Sequence, residues 1–368
     1  MSTLQTFYQG KRVLVTGHTG FKGSWLTQWL LSMGAEVSGY ALDPQPHETL
    51  YGKMSISDRL AVDYRADLSD RPALNKLVAD FSPEIIFHLA AQPLVRLSYE
   101  VPVETFSTNV LGTVHLLDAV RLAGNDCAVV CVTTDKCYDN REWLHAYREQ
   151  DAMGGHDPYS ASKGAAELVI SSYRNSFFPH GGGIRVASAR AGNVIGGGDW
   201  AKDRIVPDCI RAIRSDTPIT VRNKIATRPW QHVLEPLSGY LWLGAQLVSS
   251  PDACFQSAFN FGPDLASNRT VAELVAELIT HTGGQWIDAS DPNALHEASK
   301  LNLATDKAFH LLKWQPVWDF EQTLQSTAAW YLGENSGQSA ADLTQSQIIS
   351  YQTDATQKSL PWALSTNQ

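Results

Sequence analysis

The chain has 368 residues, of which 43% are hydrophobic and 18% charged, and its formal net charge is −9. This composition fits a globular protein with a substantial core, and the negative charge argues against nucleic-acid binding as its main activity. No apolar run is long enough to cross a bilayer, no apolar leader is visible, and the five cysteines lack CxxC spacing. We therefore expect a cytoplasmic protein with reduced thiols and without nucleic-acid or membrane partners.

The first half of the chain alternates short apolar runs with helical patterns. A helix is predicted over Gly20–Met33, and the predicted strands are Arg12–Thr16, Glu36–Leu42, Ile85–Leu89, Ala128–Val132 and Ile184–Ser188. Continuous apolar runs are typical of strands covered on both faces, and intervening helices indicate right-handed crossovers. The sequence therefore predicts an α/β fold with a doubly wound parallel sheet.

After Ala191 the predicted elements become shorter. Helical patterns recur at 203–214, 234–248, 270–280 and 320–331, with short strand candidates at 219–221 and 259–261. We expect residues 1–191 to form the sheet domain, to which later segments return, and residues 192–335 to form mainly a smaller ligand-binding lobe. Residues 336–368 form a C-terminal extension rich in Ser, Gln and Thr, which either wraps around the body or frays.

A glycine-rich turn joins the first predicted strand to the first helix. Its seven residues have GxxGxxG spacing and are Gly17, His18, Thr19, Gly20, Phe21, Lys22 and Gly23. Glycines at this place let backbone N–H groups at a helix N-terminus approach a pyrophosphate. The alternative is a purely structural turn, but the position between strand and helix favours a dinucleotide cofactor.

Residues at the ends of the next strands predict how that cofactor is held. Asp43, which ends the second predicted strand, can accept hydrogen bonds from ribose hydroxyls and repels a 2′-phosphate, so NAD is favoured over NADP. The alternative is an aspartate that shapes the turn before Pro44. Asp67 and Leu68 are candidates for the adenine edge, and the cofactor is expected to lie close to Leu89, Ala90 and Ala91.

Tyr159 and Lys163 stand four residues apart, on one face of a predicted helix with Asp157 as its N-cap and Pro158 as its first residue. A tyrosine with the ordinary pKa of about 10 is a weak base near neutrality, but a neighbouring ammonium and the positive nicotinamide ring both favour the phenolate. We expect Tyr159 to act as a base and Lys163 to bond the nicotinamide ribose. An amphipathic surface helix is the alternative.

Thr134, Asp135 and Lys136 follow the strand that ends at Val132. Asp135 can serve as a general acid if it is protonated, and Thr134 can bond a sugar hydroxyl or the Tyr159 oxygen. Three roles stay open for Lys136: orienting Asp135, binding substrate, or acting as a base. A strand-end aspartate that caps a turn is the alternative for Asp135.

These motifs, together with the segments Ala191–Trp200 and Arg228–Val233, resemble the extended short-chain dehydrogenase/reductase family and, within it, the nucleotide-sugar dehydratases. The resemblance covers residues 10–330. It implies a Rossmann-like fold with a smaller C-terminal lobe, NAD as the cofactor, CDP-glucose as the substrate, and a homodimer or homotetramer.

The resemblance implies a redox-neutral reaction in deoxysugar and O-antigen-type precursor synthesis. Tyr159 deprotonates the 4-hydroxyl as C4 is oxidised, water is lost across C5 and C6 with Asp135 as the acid, and C6 is then reduced. Related dehydratases place a glutamate after this aspartate as the C5 base, whereas this chain has Lys136 there. Neutral Lys136, another residue or water is therefore left as the base.

Substrate-binding residues are also implied by the resemblance. Asn193 matches a position that binds the sugar-nucleotide phosphate, Arg228 matches an arginine that clamps the diphosphate, and Arg204 and Arg222 are weaker candidates. No metal is expected. Three alternatives stay open: another nucleotide-sugar 4,6-dehydratase, a 4-epimerase or related reductase, which needs no acid at Asp135, and a non-catalytic NAD-binding regulator.

Overall fold

The computed structural model describes residues 3–44, 49–290 and 300–364; the parts of the expected segments at 1–2, 45–48, 291–299 and 365–368 lie outside the described residues. The α-helices are α1 (Thr3–Tyr8), α2 (Phe21–Ser32), α3 (Leu50–Lys53), α4 (Arg71–Phe81), α5 (Val95–Glu100), α6 (Pro102–Phe106), α7 (Gly112–Ala123), α8 (Pro158–Ser176), α9 (Ile205–Arg214), α10 (Leu234–Ser249), α11 (Val271–Thr282), α12 (Phe320–Asn335) and α13 (Ala340–Gln357). The strands are β1 (Arg12–Thr16), β2 (Glu36–Ala41), β3 (Val62–Arg65), β4 (Ile85–His88), β5 (Cys127–Val132), β6 (Ile184–Ala191), β7 (Val194–Ile195), β8 (Ile219–Val221), β9 (Thr227–Pro229), β10 (Gln231–His232), β11 (Ala258–Phe261), β12 (Asn268–Thr270) and β13 (Trp286–Asp288).

Seven strands form one parallel sheet in the order β11-β6-β5-β4-β1-β2-β3. The prediction of a doubly wound parallel sheet is confirmed. Successive strands run outward from β1 in one direction and from β4 in the other, so the order reverses between these two strands. Ligands of open α/β sheets bind outside the carboxyl ends of the strands at such a reversal.

The predicted strands recur with small shifts at their ends. Predicted helix Gly20–Met33 begins one residue later, because Gly20 is its extended N-cap. The expectation that Asp43 ends the second strand is wrong, because β2 ends at Ala41 and Asp43 lies two residues beyond it. Late in the chain, β11 returns to the sheet and pairs in parallel with β6.

Helices cover both faces of the sheet, as the apolar strands require. One face packs against α2 and α10, and the other against α4, α7 and α8. In α2 every residue from Gly23 to Leu30 is buried, because α13 covers the side of the helix that faces away from the sheet. The rings of Trp29 and Tyr351 meet at a centroid distance of 5.9 Å in this contact. Residues 340–357 therefore form a helix packed on the body of the protein.

Small two-stranded sheets lie in the region after Ala191: β7 with β10, β8 with β13, and β9 with β12. One of them reaches the carboxyl edge of the main sheet. A Cβ added to Gly192 would lie 3.2 Å from Pro229 of β9 and 3.0 Å from the Asp135 carboxylate. The chain after Ala191 and the end of β5 therefore meet directly at the edge where a ligand is expected.

Candidate active site

The glycine turn lies at the reversal of the strand order. Gly17 has φ +75°, and a Cβ there would come within 2.7 Å of the Ala90 backbone nitrogen, so the turns after β1 and β4 are in close contact. A Cβ on Gly23 would lie 2.1 Å from the Gly17 carbonyl oxygen. Gly20 caps α2 without a side-chain bond, and the first N–H groups of a helix lack intrahelical partners. This backbone cradle fits the pyrophosphate of a dinucleotide.

His18 holds the turn from behind. Its buried ring lies against β2, where a Cβ on Gly39 would come within 2.4 Å of it, and His18 Nε2 is 2.8 Å from Asp63 Oδ1. Asp63 also accepts hydrogen bonds from Tyr51 and Arg65, each at 2.8 Å. Burial lowers the pKa of His18, which favours a neutral imidazole that donates to Asp63. The structure therefore makes this side chain a brace for the turn.

The residues predicted for the adenosine end lie near the carboxyl ends of β2 and β3. Asp43 and Asp67 are exposed, and Asp67 Oδ1 accepts a hydrogen bond from the Ser69 N–H at 2.8 Å. Leu68 is buried against α7. Thr19 ties the glycine turn to the end of β2 through a 3.2 Å bond to the Leu42 carbonyl.

Two of the small or apolar residues after β4 use their backbone N–H groups in hydrogen bonds within the protein. The Leu89 N–H donates to the Thr16 carbonyl at 3.1 Å, and the Ala90 N–H donates to the Thr16 hydroxyl at 3.2 Å. Ala91 follows in a bend. These bonds hold the strand end close to the glycine turn, as an approach of the cofactor to backbone requires.

The Tyr159–Lys163 pair stands on the first turns of α8. Asp157 is the N-cap, accepting a bond from the Ser160 N–H at 2.9 Å, and both members of the pair are buried. Lys163 Nζ donates to the carbonyl of Val132 at 3.3 Å. The pair therefore lies against the end of β5, as the sequence predicts.

Burial dominates the titration of this pair. It raises the pKa of Tyr159 to about 12, with a Thr134 hydrogen bond opposing the rise, and it lowers the pKa of Lys163 to about 8. In the protein alone, burial therefore raises the pKa of Tyr159 by more than the nearby positive charges lower it. Additional positive charge is needed before Tyr159 can act as a base near neutrality.

The proposed acid lies directly beside the pair. Thr134 caps a single 3₁₀ turn, Asp135–Cys137, and its hydroxyl donates to Asp135 Oδ1 at 2.9 Å. Asp135 is 1% exposed, and Lys136 Nζ lies 3.4 Å from its Oδ1. Lys136 Nζ also donates to Asn193 Oδ1 at 3.1 Å. Asp135, Lys136 and Asn193 therefore form one connected group.

The three candidate arginines differ in their surroundings. Arg204 pairs with Asp199 at 2.8 Å, and its charge acts on both Tyr159 and Lys22. Arg228 lies on β9 and donates to the Thr227 carbonyl at 2.8 Å. Arg222 is an exposed residue paired with Asp203 at 2.7 Å. The structure therefore brings Arg204, but not Arg222, into the electrostatic neighbourhood of the catalytic pair.

A buried ion pair that sequence reasoning missed supports the loop after β5. Glu167 and Arg190 meet at 2.7 Å, and Glu167 also accepts bonds from the hydroxyls of Thr133 and Ser188 at 2.5 and 2.8 Å. Although burial opposes it, Arg190 keeps the pKa of Glu167 below its ordinary value. The sequence did contain a sign of this role, because Glu167 follows Lys163 by four residues and therefore lies on the same face of α8.

We expect the substitution Glu167→Gln to lower the free energy of unfolding by about 3 kcal/mol, because it leaves the Arg190 charge buried and unpaired. Urea unfolding of both proteins measures this difference. Glu84→Gln is the matched control, since Glu84 forms a partly exposed pair with Lys11 and its loss should cost about 1 kcal/mol or less. Equal losses in the two variants would contradict the structural role of the buried pair.

Fold and site together define a class of protein: an α/β dinucleotide-binding enzyme with a Tyr–Lys pair and a buried aspartate at the edge of its sheet. A family model described as GDP-mannose 4,6 dehydratase matches residues 14–327. CDP-glucose 4,6-dehydratase of Salmonella typhimurium is 49% identical over 358 residues, which are 96% of this chain and 99% of that protein. The chain therefore belongs to the nucleotide-sugar 4,6-dehydratase family that this model describes.

Solved structures share the fold. A dTDP-glucose 4,6-dehydratase from Bacillus anthracis, solved in complex with NAD, superposes with a TM-score of 0.74 at 21% identity, covering 90% of this chain and 100% of that one. A UDP-glucose 4-epimerase from Thermotoga maritima, solved with UDP-glucose, gives a TM-score of 0.75 at 21% identity, covering 88% and 99%. No helix in the described ranges has the length and apolarity needed to span a membrane.

Proposed function

We propose that this protein is an NAD-dependent dehydratase that converts CDP-D-glucose to CDP-4-keto-6-deoxy-D-glucose and water. The observation that carries the proposal is the 49% identity, over nearly the whole of both chains, to a CDP-glucose 4,6-dehydratase. The site supports it, because an epimerase has no use for a buried acid beside the Tyr–Lys pair, and Asp135 occupies that place. The product serves as a precursor for deoxysugar and O-antigen-type polysaccharide synthesis.

The glycine turn, Asp43 and Lys163 are the groups proposed to hold NAD. The close contact of the turn with Ala90 leaves backbone, not side chains, facing the pyrophosphate, and Asp43 has an exposed side chain. When bound, NAD accepts a hydride from C4 of the sugar and later returns it to C6. Tyr159 removes the proton of the 4-hydroxyl, and Thr134 orients that hydroxyl and the phenol.

The elimination needs an acid that enters protonated and a base that enters neutral. The Lys136 ammonium lies 3.4 Å from Asp135 Oδ1, so transfer of one proton within this pair produces both states together. Asp135 then protonates the C6 hydroxyl, which leaves as water, while the Lys136 amine removes the C5 proton. We assign Lys136 as the C5 base for this reason.

Protons balance over the complete cycle. Lys136 returns its proton to C5 when C6 is reduced, so the Asp135–Lys136 pair ends one proton short. Tyr159 ends with one proton more, taken from the 4-hydroxyl. Thr134, whose hydroxyl is bonded to Asp135 and interacts with Tyr159, offers a route by which that proton returns to the pair.

The diphosphate of the substrate is assigned to the lobe. Asn193 lies beside Lys136, and Arg228 lies on β9, whose Pro229 is in contact with Gly192. A guanidinium fork suits a diphosphate, so Arg228 and Arg204 are the proposed clamps. Arg222 is a weaker candidate, because its guanidinium is engaged by Asp203 at the surface.

Incubation with CDP-glucose tests the proposal. The expected product has lost one water, and the nicotinamide absorbance shows no net change, because the reaction is redox-neutral. An unchanged mass with inverted C4 stereochemistry would instead indicate an epimerase. A lack of turnover across CDP-, UDP- and dTDP-glucose would indicate a non-catalytic nucleotide-binding protein.

A homodimer, or a homotetramer built from dimers, is part of the proposal. Large apolar side chains are exposed on α6, on the π-helical segment that joins it to α7, on α7, on α8 and just after α8: Val103, Phe106, Leu111, Leu122, Leu168 and Phe177. Exposed apolar side chains grouped on neighbouring helices are typical of a protein interface. Sedimentation analysis measures the assembly. The cytoplasmic location, and the absence of nucleic-acid and membrane partners, stay predictions.

A further inference from the structure

Lys22 is a charged residue of the glycine turn, although the binding of a pyrophosphate by this turn requires only its backbone. It is the second residue of α2, and the turn's role in holding a pyrophosphate depends on N–H groups and glycines. Its side chain leaves the turn, and the ammonium lies 5.9 Å from the centre of the Tyr240 ring on α10. The hydroxyl of Tyr240 is buried and has no hydrogen-bond partner among the described residues.

The charged groups around Lys22 are those of the active site. The charges that act on its ammonium are Arg204, Lys136 and Lys163, which oppose it, and Asp135, which favours it. Tyr240, on which the ammonium rests, is itself acted on by Tyr159 and Asp135. Lys22 therefore lies within electrostatic reach of the catalytic residues, where three lysines and an arginine accompany the Asp135 carboxylate.

This excess of positive charge has a consequence for a nicotinamide cofactor. The oxidised ring carries a positive charge and the reduced ring carries none, so a nearby ammonium disfavours the oxidised form relative to the reduced form. Arg204 is already paired with Asp199, and Lys136 with Asp135. Lys22 contacts an aromatic ring, so its charge is less compensated than theirs.

We propose that Lys22 is an electrostatic residue of the catalytic pocket whose charge shifts the balance between oxidised and reduced cofactor toward the reduced form. The inference rests on NAD being the cofactor of the proposed function. By this shift Lys22 favours oxidation at C4 of the sugar, which is the step that makes the C5 proton acidic. Lys22 acts through the cofactor and the field of the pocket, and it forms no bond to the sugar.

The protonation of Lys22 makes the preference for reduced cofactor depend on pH. Burial, followed by the charge of Arg204, lowers the pKa of Lys22 to about 7, so it loses its charge as the pH rises from about 6 to about 9. The preference for the reduced cofactor should therefore be strongest at the acidic end and fade as pH rises. Lys163 titrates in the same range and contributes with the same sign, so a comparison of variants is needed.

The experiment equilibrates the full-length protein with a defined mixture of NAD and NADH, removes free nucleotide, and measures the ratio that stays bound. At about pH 6 we expect Lys22→Met to raise the bound NAD:NADH ratio about tenfold over the unmodified protein, equivalent to 1.4 kcal/mol. At about pH 9 the two ratios should converge. Both contain Lys163, so its contribution cancels in the comparison.

Two further variants fix the interpretation. Lys22→Arg keeps the charge at all these pH values, so its ratio should stay low at both ends. Lys76→Met removes an exposed lysine of α4 that pairs with Asp80, and its ratio should match the unmodified protein. Equal ratios for Lys22→Met, Lys22→Arg and the unmodified protein at about pH 6 would overturn the inference while leaving NAD as the cofactor. Retention of neither nucleotide by the unmodified protein would overturn both.

Discussion

Replacement of Tyr159 by Phe is expected to lower the turnover of CDP-glucose about 10³-fold, the loss typical of a missing general base. The phenyl ring fills the same buried volume at the start of α8, so the fold and the binding of substrate should persist. The lost hydroxyl is the group that takes the 4-hydroxyl proton. Single-turnover mixing with CDP-glucose should therefore show reduced nicotinamide forming in the unmodified protein but not in the variant.

Tyr173→Phe is the matched control, because Tyr173 lies on the same helix and packs its ring against Phe177. Its turnover should equal that of the unmodified protein. If Tyr159→Phe formed reduced nicotinamide at the normal rate, another group would have to take the proton. Tyr159 would then lose its assignment as the base of the first step.

The fold was accessible from the sequence because its signals are local. Strands such as β5 (Cys127–Val132) are apolar at every position, and only a sheet covered on both faces explains such runs. The return of β11 to the edge of this sheet was harder to predict. Its four residues are no more apolar than other short candidates in the second half, and the pairing with β6 spans about 70 residues of chain.

The site residues likewise fall into those that local sequence signals could locate and those that depend on distant contacts. Tyr159, Lys163 and Asp135 lie next to predicted strand ends or helix starts, so the sequence was enough to bring them together. The placement of Lys22 was not predictable, because it depends on α10, whose Tyr240 comes more than 200 residues later. Arg204 and Arg222, the two weaker arginine candidates, were indistinguishable in the sequence, since only the structure shows Asp203 paired with Arg222 and Asp199 with Arg204.

Asp135→Asn separates oxidation from water loss. The amide keeps the shape of the side chain but cannot donate a proton to the C6 hydroxyl, so we expect complete turnover to fall about 10³-fold. Tyr159 and Lys163 are untouched, and oxidation at C4 should still proceed. Rapid mixing with CDP-glucose should therefore show reduced nicotinamide accumulating to the level of one per site, together with a bound 4-keto sugar of unchanged carbon skeleton.

The same variant also tests the proton exchange within the Asp135–Lys136 pair. If the pair shares one proton, Asp135→Asn removes both the acid and the route by which Lys136 becomes a neutral amine. Exchange of the C5 hydrogen with deuterated water should then be lost along with elimination. Asp139→Asn is the control and should turn over normally, because Asp139 is exposed and lies two residues beyond the 3₁₀ turn Asp135–Cys137. Normal water loss in Asp135→Asn would exclude Asp135 as the acid, whereas continued C5 exchange without water loss would show that Lys136 deprotonates independently of it.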